Sequence, residues 1–350
     1  MMLKHLLRPA ALVSAAILTA AMAPAAALAQ DDDFALGADI SGVTALEARG
    51  ERLYNAKGEI RECTALMHEL GLNAIRLRVW VNPAKGFCSP EDVLEMAKRA
   101  KYYGMDVMVN FHYSDWWADP GHSPIPAAWQ YYVVGEVEQV LRQHTESTLK
   151  LLKDNGINVK WVQVGNETTH GFMWPLAKAE DNMDAYARLT KAGYEAVKRV
   201  YPDAKVIVHL DAACDPARYD FIFDGLRDRG VKWDIIGVSV YPHWDHVAGL
   251  TQTDDESLEK ASANIIRMAE KYGTDAMIVE TGVLASKAKE QKKLMAKIID
   301  VAKNHMGGHC HGVFYWGPEI EDGEYVLGAF KNHRPTEIME AFTEAARKNK

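Results

Sequence analysis

Two glutamates follow apolar runs of the sequence, in positions where their carboxylates could share one cleft. Glu167 comes after residues 161–165 and directly after Asn166, and Glu280 ends the run 277–279. Glycoside hydrolysis needs such a pair: an acid with a raised pKa protonates the leaving oxygen, and an ionised carboxylate attacks the anomeric carbon or activates water. The chain also contains 9 tryptophans, whose indole faces can pack against the apolar face of a sugar ring. These residue types favour carbohydrate hydrolysis.

Polar and aromatic side chains follow the other apolar runs as well. Acids, amides and rings dominate these positions, and none of them holds consecutive lysines or arginines that could bind a phosphate. Arg76 and Arg78 are two residues apart on one predicted strand and therefore share a face, so we expect one of them to brace the interior by ion pairing. The candidate site positions are Asp39, Arg76, Arg78, Trp80, His112, Asp115, Trp116, Trp117, Asn166, His209, Asp211, Tyr241, His243, Trp244, Trp316 and Glu319.

The elements that position these residues are eight short β-rich runs, most of them separated by a longer stretch with helical periodicity. This alternation predicts a (β/α)8 TIM barrel, in which the chemistry gathers at the carboxyl ends of the strands. Strands four and seven then place Glu167 and Glu280 across the mouth of one barrel. The predicted strands are 34–40, 73–81, 106–112, 160–165, 205–210, 233–241, 275–280 and 312–316.

No linker, repeat or low-complexity tract divides the chain, so residues 30–350 are predicted to form a single barrel domain. A doubly wound sheet would show a glycine-rich dinucleotide turn or a P-loop, and neither motif occurs. Residues 1–29 are interpreted as a signal peptide. Lys4 and Arg8 precede an apolar run over 9–23, and the cleavage motif ends at Ala29. We therefore expect a secreted protein, located in a periplasm or outside the cell.

Composition and charge limit the function classes. The 350 residues are 48% hydrophobic and 25% charged, which excludes a disordered chain, and the formal net charge is -8. An acidic protein repels nucleic acid and anionic lipid, so we expect neither partner and no membrane span after the leader. Export permits disulfides, but the sequence does not rank the three possible pairings of Cys63, Cys88, Cys214 and Cys310.

Several longer strings resemble glycoside hydrolase family 53, the endo-β-1,4-galactanases. The Asn-Glu after strand four and the Glu after strand seven are similar to the acid/base and nucleophile of retaining barrel glycosidases. The family resemblance lies in GADIS at 37–41, IRLRVWVNP at 75–83 and FHYSDWWADP at 111–120, and it continues in order through 165–167, 174–176, 209–211, 237–242, 279–281 and 315–316.

The resemblance implies roles for named residues. Glu167 would be the acid/base and Glu280 the nucleophile. Asn166 would hydrogen-bond the sugar's 2-hydroxyl, while Arg76 and Tyr241 would hold the nucleophile ionised and oriented. The subsite for the cleaved galactose would be lined by Asp39, Trp80, His112, Asp115 and Trp316. The implied substrate is the β-1,4-galactan of type I arabinogalactan, and we expect a monomer that requires no cofactor.

This sequence departs from the family pattern in two places. Residues 168–170, Thr-Thr-His, replace the usual residues after the acid/base. The stretch after Trp316 is short, whereas some bacterial members carry a long calcium-binding loop there, which argues against calcium. Three other functions stay open: a mannanase-, xylanase- or cellulase-type endoglycanase, a catalytically silent sugar-binding barrel, and a metal-dependent hydrolase using His112, His209 and Asp211.

Overall fold

The computed structural model describes residues 34–321 and 323–348. In this part of the chain eight parallel strands close into a barrel in sequence order, and the last strand pairs with the first. All eight predicted strands are present, so the predicted (β/α)8 barrel is confirmed. The predicted leader, 1–29, lies outside the described residues. The strands are β1 Ala35–Asp39, β2 Ala74–Val79, β3 Asp106–Phe111, β4 Val159–Val164, β5 Lys205–Leu210, β6 Ile235–Val240, β7 Asp275–Thr281 and β8 Cys310–Trp316.

Helices connect the strands and cover the outside of the barrel. Three pairs of two-residue strands decorate the loops: Leu53–Tyr54 with Ile60–Arg61, Gly171–Phe172 with Ala177–Lys178, and Phe330–Lys331 with Arg334–Pro335. The described helices are α1 Val43–Ala48, α2 Cys63–Glu69, α3 Pro90–Tyr102, α4 Val134–Asp154, α5 Ala179–Val200, α6 Pro216–Arg227, α7 Pro242–Val247, α8 Asp254–Tyr272, α9 Ala288–Asn304 and α10 Glu337–Lys348.

Helix α3 shows how the local sequence specifies these elements. Ser89 caps its N-terminus by accepting a hydrogen bond from the Asp92 N–H, and a proline occupies the first turn, where a missing N–H costs nothing. The residues buried against the barrel follow the helical period, so one face of α3 is apolar: Val93, Met96, Ala97 and Ala100. Burial of this face is what fixes the helix on the sheet.

The lower half of the barrel interior is filled by apolar side chains. Phe314 lies against Gly37, where an added Cβ would come within 2.3 Å of the aromatic ring. Only glycine therefore allows this ring to enter the barrel between β1 and β8. The interior cluster consists of Ala35, Ala74, Met108, Trp161, Ile207, Ile235, Met277, Val279 and Phe314. Because this layer is closed, access to the interior is from the carboxyl ends of the strands.

The four cysteines are all described, and each is a buried free thiol. None of the three disulfide pairings that the sequence left open is formed. Burial raises the pKa of the Cys214 thiol to about 12 and that of the Cys310 thiol to about 11, so both behave as small apolar side chains. Within the described residues, no helix combines the length and the apolar character needed to cross a bilayer.

Candidate active site

A cleft opens at the carboxyl ends of the strands, where the polar residues were predicted to meet. Its cavity measures about 390 Å³. The two glutamates line the same cavity, although they are more than a hundred residues apart in the chain. Residues on the cavity wall that the chemistry involves are Asn166, Glu167, Ser239, Tyr241, Glu280 and Trp316.

A bulge in β7 turns Glu280 into the cleft. Met277 and Val279 both belong to the interior cluster, so strict alternation would point Glu280 to the outer face of the sheet. The pairing with β6 shifts at this point, from Val238 opposite Ile278 to Ser239 opposite Glu280. The extra residue reverses the facing of the strand end, as bulges next to active sites commonly do. Glu280 therefore lies inside the barrel mouth beside Ser239.

Arg76 connects the acidic groups of the site. It is fully buried, and its Nη1 lies 2.7 Å from Asp39 Oδ2 while its Nη2 lies 2.7 Å from Glu280 Oε1. Its Nε also donates to Gln163 Oε1 at 2.5 Å. Although burial alone would lower the pKa of Arg76, the neighbouring Glu280 and Asp39 carboxylates raise it above the ordinary value. The guanidinium is thus a fixed positive charge between β1 and β7.

Glu280 is buried, and each of its two carboxylate oxygens accepts a hydrogen bond. Arg76 donates to one carboxylate oxygen, and Tyr241 Oη donates to the other, Oε2, at 3.1 Å. Burial raises the pKa of Glu280, Arg76 opposes that effect, and Asp39 adds to it. Both donors bind the ionised form in preference to the neutral one. Of the two glutamates, Glu280 is therefore the one that ionises first.

Glu167 forms no ion pair with any residue that the structure describes. It follows Gly165, with φ of +88°, and itself has φ of +44°, a left-handed conformation that costs a side chain such as glutamate on the order of 1 kcal/mol. Its Oε1 accepts a hydrogen bond from Ser239 Oγ at 2.6 Å. Burial raises the pKa of the Glu167 carboxyl well above the ordinary range, and the charges of Glu280 and Asp211 raise it further. This carboxyl is therefore suited to carry a proton.

Asn166 is held by protein groups on both ends of its amide. Its Oδ1 accepts from Arg76 Nη2 at 2.8 Å and from Asn110 Nδ2 at 3.0 Å, and its Nδ2 donates to the Ala118 carbonyl at 2.8 Å. The amide orientation is therefore set by the network. One Nδ2 hydrogen remains to donate, which leaves room for the predicted contact with a sugar hydroxyl.

Asp39 and His112 lie beside the cleft, and their side chains form hydrogen bonds with other protein groups. Asp39 Oδ2 binds Arg76, and its Oδ1 accepts from the N–H and hydroxyl of Ser41. His112 Nδ1 accepts from the Ala118 N–H at 3.2 Å, so the ring proton lies on Nε2. Burial lowers the pKa of His112 well below the usual range, and the charges of Arg78 and Arg76 lower it further.

The residues predicted to line the galactose subsite fall into two groups. Trp316 lies on the cavity wall, whereas Trp80 and Asp115 hold the surrounding structure in place. Trp316 lines the cavity and contacts Trp117 at a ring-centroid distance of 5.6 Å. Trp80 is only 3% exposed and lies 4.6 Å from Trp116, so it supports the cleft wall instead of forming it. Asp115 accepts hydrogen bonds from two backbone N–H groups, of Asn82 and Ala127, and thereby joins two loops.

The two arginines of β2 take different roles, and only one is an ion-pair brace. Arg76 binds carboxylates, as described above. Arg78 instead lies over the ring of Trp117, with its Cζ 3.8 Å from the centroid, and 4.8 Å from that of Trp80. A desolvated guanidinium over an indole face is favourable by about 1–2 kcal/mol. Arg78 therefore holds the tryptophan wall in place.

Sequence reasoning missed some cleft residues. Ser239 was part of a family string but received no role, and Tyr325 and Arg218 were likewise not predicted as site residues. A signal existed for Ser239, because it is two residues before Tyr241 on a predicted strand and must share its face. For Tyr325 and Arg218, which lie in a loop and a helix, no periodic signal was available.

The described residues do not support a metal site. No group of three or more His, Cys, Asp or Glu side chains within 34–321 and 323–348 is arranged to hold a metal ion. In particular, His209 uses both ring nitrogens for hydrogen bonds within the protein, and Asp211 is paired with Arg218. The metal-dependent alternative therefore has no ligand set in this part of the chain.

Glu319, just after β8, is a buried carboxyl that forms no ion pair with any described residue. It is 2% exposed, and its Oε2 has no hydrogen-bond partner within 34–321 and 323–348. Burial raises its pKa to about 8 from an ordinary value of 4.5; the nearby Asp39 adds to this, and Arg78 opposes it. Glu319 therefore stays protonated in the folded protein at pH values where it is ionised in the unfolded chain.

This shift predicts a pH-dependent stability. Between pH 5 and pH 8 the folded state holds a proton that the unfolded state has released, so stability falls as pH rises across this window. Relative to Glu319→Gln, the wild-type protein should lose about 3 kcal/mol of unfolding free energy from pH 5 to pH 8. Urea unfolding of both proteins at the two pH values measures the difference. Parallel pH dependence in the two proteins would contradict this assignment.

Comparison with known proteins places these features in a family context. The model of the family described as glycosyl hydrolase family 53 matches residues 35–324 of the chain. An arabinogalactan endo-β-1,4-galactanase of Humicola insolens is 31% identical over 305 residues, which cover 81% of this chain and 88% of that protein.

Solved structures agree with the sequence relatives. A structure of fungal β-1,4-galactanases aligns with a TM-score of 0.80 at 26% identity, covering 89% of this chain and 99% of that one. The catalytic domain of an Ignisphaera aggregans protein of the same family gives the same TM-score and identity, over 89% of this chain and 95% of that one. A xylanase of Cellvibrio japonicus, at 12% identity and a TM-score of 0.63, shares the fold alone.

Proposed function

Because the chain belongs to glycosyl hydrolase family 53 and is thus a glycoside hydrolase, we propose that it cleaves internal bonds of β-1,4-galactan with retention of configuration. The observation that carries the proposed mechanism is the asymmetry of the two glutamates in one cleft. Glu280 binds a buried guanidinium, whereas Glu167 binds only a neutral hydroxyl. One carboxylate is thereby kept ionised for attack while the other keeps a proton to donate.

In the first step, Glu167 protonates the glycosidic oxygen while Glu280 attacks the anomeric carbon. The bond from that carbon to the leaving oxygen breaks, and a covalent glycosyl-enzyme forms on Glu280. Arg76 and Tyr241 hold the Glu280 carboxylate in place for this attack. Formation of the ester removes the negative charge of Glu280. The repulsion from that charge, which raised the pKa of Glu167, is then lost.

In the second step, the now ionised Glu167 takes a proton from a water molecule, and that water attacks the anomeric carbon. The ester bond to Glu280 breaks, which restores its carboxylate, and two inversions give net retention. For this mechanism the two carboxyl groups need a separation of roughly 5–5.5 Å, whereas an inverting pair would be roughly 6.5–9.5 Å apart.

The substrate proposal rests on the named relatives. The Humicola insolens protein is called an arabinogalactan endo-β-1,4-galactanase, and the fungal structures are of β-1,4-galactanases. In this chain the cleft wall of Trp117, Trp316 and Tyr325 offers aromatic faces for the apolar side of a galactose ring. We further propose that the enzyme acts after export, on the basis of the leader predicted over 1–29.

The test is hydrolysis of linear β-1,4-galactan beside β-mannan, xylan and cellulose, followed by analysis of the products. We expect release of reducing ends from galactan alone, with intermediate oligosaccharides appearing before galactose. Proton NMR of the first products should show the β anomer, which then mutarotates. Initial α anomer would overturn retention, and preference for another polysaccharide would overturn the substrate.

A further inference from the structure

The carboxyl of Glu167 is held by a closed chain of hydrogen bonds that begins and ends on this residue. The Glu167 N–H donates to His209 Nδ1 at 3.3 Å, and His209 Nε2 lies 2.9 Å from Ser239 Oγ. Ser239 Oγ in turn donates to Glu167 Oε1 at 2.6 Å. Neither His209 nor Ser239 takes part in a chemical step of the mechanism proposed above. The three residues follow or end neighbouring strands, β4, β5 and β6.

The direction of each bond in this chain is determined. A backbone N–H can only donate, so His209 Nδ1 must be the unprotonated nitrogen and its proton lies on Nε2. Nε2–H therefore donates to Ser239 Oγ. The serine hydroxyl, having accepted from the imidazole, directs its own hydrogen to Glu167 Oε1. The alternative for a neutral acid, a proton on Glu167 Oε1 donated to Ser239 Oγ, would leave the serine hydrogen without an acceptor among the described residues.

His209 is also kept neutral. Its side chain is fully buried, and burial lowers the pKa of His209 well below its ordinary value, with the positive charge of Arg76 lowering it further. A second ring proton on Nδ1 would also point at the Glu167 N–H. The direction of these three hydrogen bonds therefore stays the same at mildly acidic and neutral pH.

This direction decides which oxygen of Glu167 carries the catalytic proton. Oε1 accepts the serine hydrogen, so the proton of the neutral acid is placed on Oε2. Glu167 Oε2 forms no hydrogen bond with any residue of the described chain. Since Glu167 lines the cleft, Oε2 is the oxygen left for the substrate.

We propose that Ser239 and His209 are positioning residues that hold the Glu167 carboxyl in one orientation and its proton on Oε2, ready for the leaving oxygen. This inference rests on the acid/base role proposed for Glu167. It predicts that, in the first step, Ser239 matters only when the leaving group needs protonation. Charged and titratable groups that face Glu167 and remain in every variant of this test are Arg76, His209, Asp211, Tyr219, Tyr241, Glu280 and Tyr325.

The test measures kcat/KM of the Ser239→Ala variant on two substrates. On galactan, whose leaving alkoxide needs a proton, kcat/KM should fall about 10- to 100-fold, the usual effect of losing a hydrogen bond to a charged group. On a 2,4-dinitrophenyl β-galactobioside, whose phenolate leaves without protonation, kcat/KM should change less than about 3-fold. The alkaline limb of the galactan pH profile should move to higher pH, because Ser239 lowers the pKa of Glu167.

Two variants control for damage to the barrel. Thr190→Val removes an equally buried hydroxyl, which bonds the Tyr186 carbonyl within α5, and should leave both substrates unaffected. Ser239→Thr keeps the hydroxyl and should recover most of the galactan activity. If Ser239→Ala slows both substrates alike, or leaves galactan hydrolysis and its pH profile unchanged, the positioning role is wrong. Inactivity of the wild type on galactan would instead contradict the proposed function.

Discussion

Replacing Glu280 with alanine is expected to abolish hydrolysis of β-1,4-galactan, with kcat reduced on the order of 10⁵-fold or more, as for other hydrolases that lose their nucleophile. This corresponds to roughly 7 kcal/mol of lost transition-state stabilisation. The reason is that no other carboxylate of the cleft is held ionised by Arg76 and Tyr241 at this position. Initial rates of reducing-end release measure the loss.

The fold should survive this change. Arg76 keeps its ion pair with Asp39, at 2.7 Å, so the buried guanidinium is not left without a counter-charge. Binding of galacto-oligosaccharides, followed by calorimetry, should therefore stay within a few-fold of the wild type. Glu259→Ala, on the exposed side of α8, provides a matched control and should be fully active. Activity retained by Glu280→Ala would remove this residue from the nucleophile role.

Replacing Glu167 with alanine is expected to have the second largest effect, and one that depends on the substrate. Hydrolysis of galactan should slow about 10²- to 10⁴-fold, the usual contribution of general acid–base catalysis. With a dinitrophenyl leaving group the first step needs no acid, so a glycosyl-enzyme should form rapidly and then accumulate. A burst of dinitrophenol followed by slow turnover is the signature to measure.

Sodium azide provides the control for this prediction. The anion needs no general base, so it should release the stalled intermediate in Glu167→Ala and yield the β-galactosyl azide. The same anion in Glu280→Ala would have to attack the substrate itself and would yield the opposite anomer. If azide neither accelerates turnover nor appears in the product of Glu167→Ala, the acid/base assignment fails.

Much of the architecture was predictable because it depends on local patterns. A β-strand and a helix differ in hydrophobic period, so eight strands and the intervening helices could be recognised, and barrel closure follows from their number and order. The ends of β4 and β7 then identified Glu167 and Glu280 as residues of one cleft. Family strings indicated Arg76 and Tyr241 as their neighbours.

The different contacts made by side chains of the same type were not predictable. Arg76 and Arg78 share a face of β2, yet the first binds two carboxylates and the second lies over Trp117. Trp80 and Trp316 were both expected to line the cleft, and only Trp316 does, because Trp116 lies against Trp80. Which partner a side chain meets depends on loops from other strands, whose paths carry no periodic signal.

The sequence by itself determined the barrel, the edge at which its chemistry gathers and the pair of carboxylates available there. The tertiary structure alone decided how that pair is differentiated. The bulge in β7 turns Glu280 inward against the alternation of its own strand, and the chain from His209 through Ser239 orients Glu167. Both effects arise from contacts between neighbouring strands. A carboxyl takes its pKa from the charges and donors around it in space, and residues distant in sequence supply them.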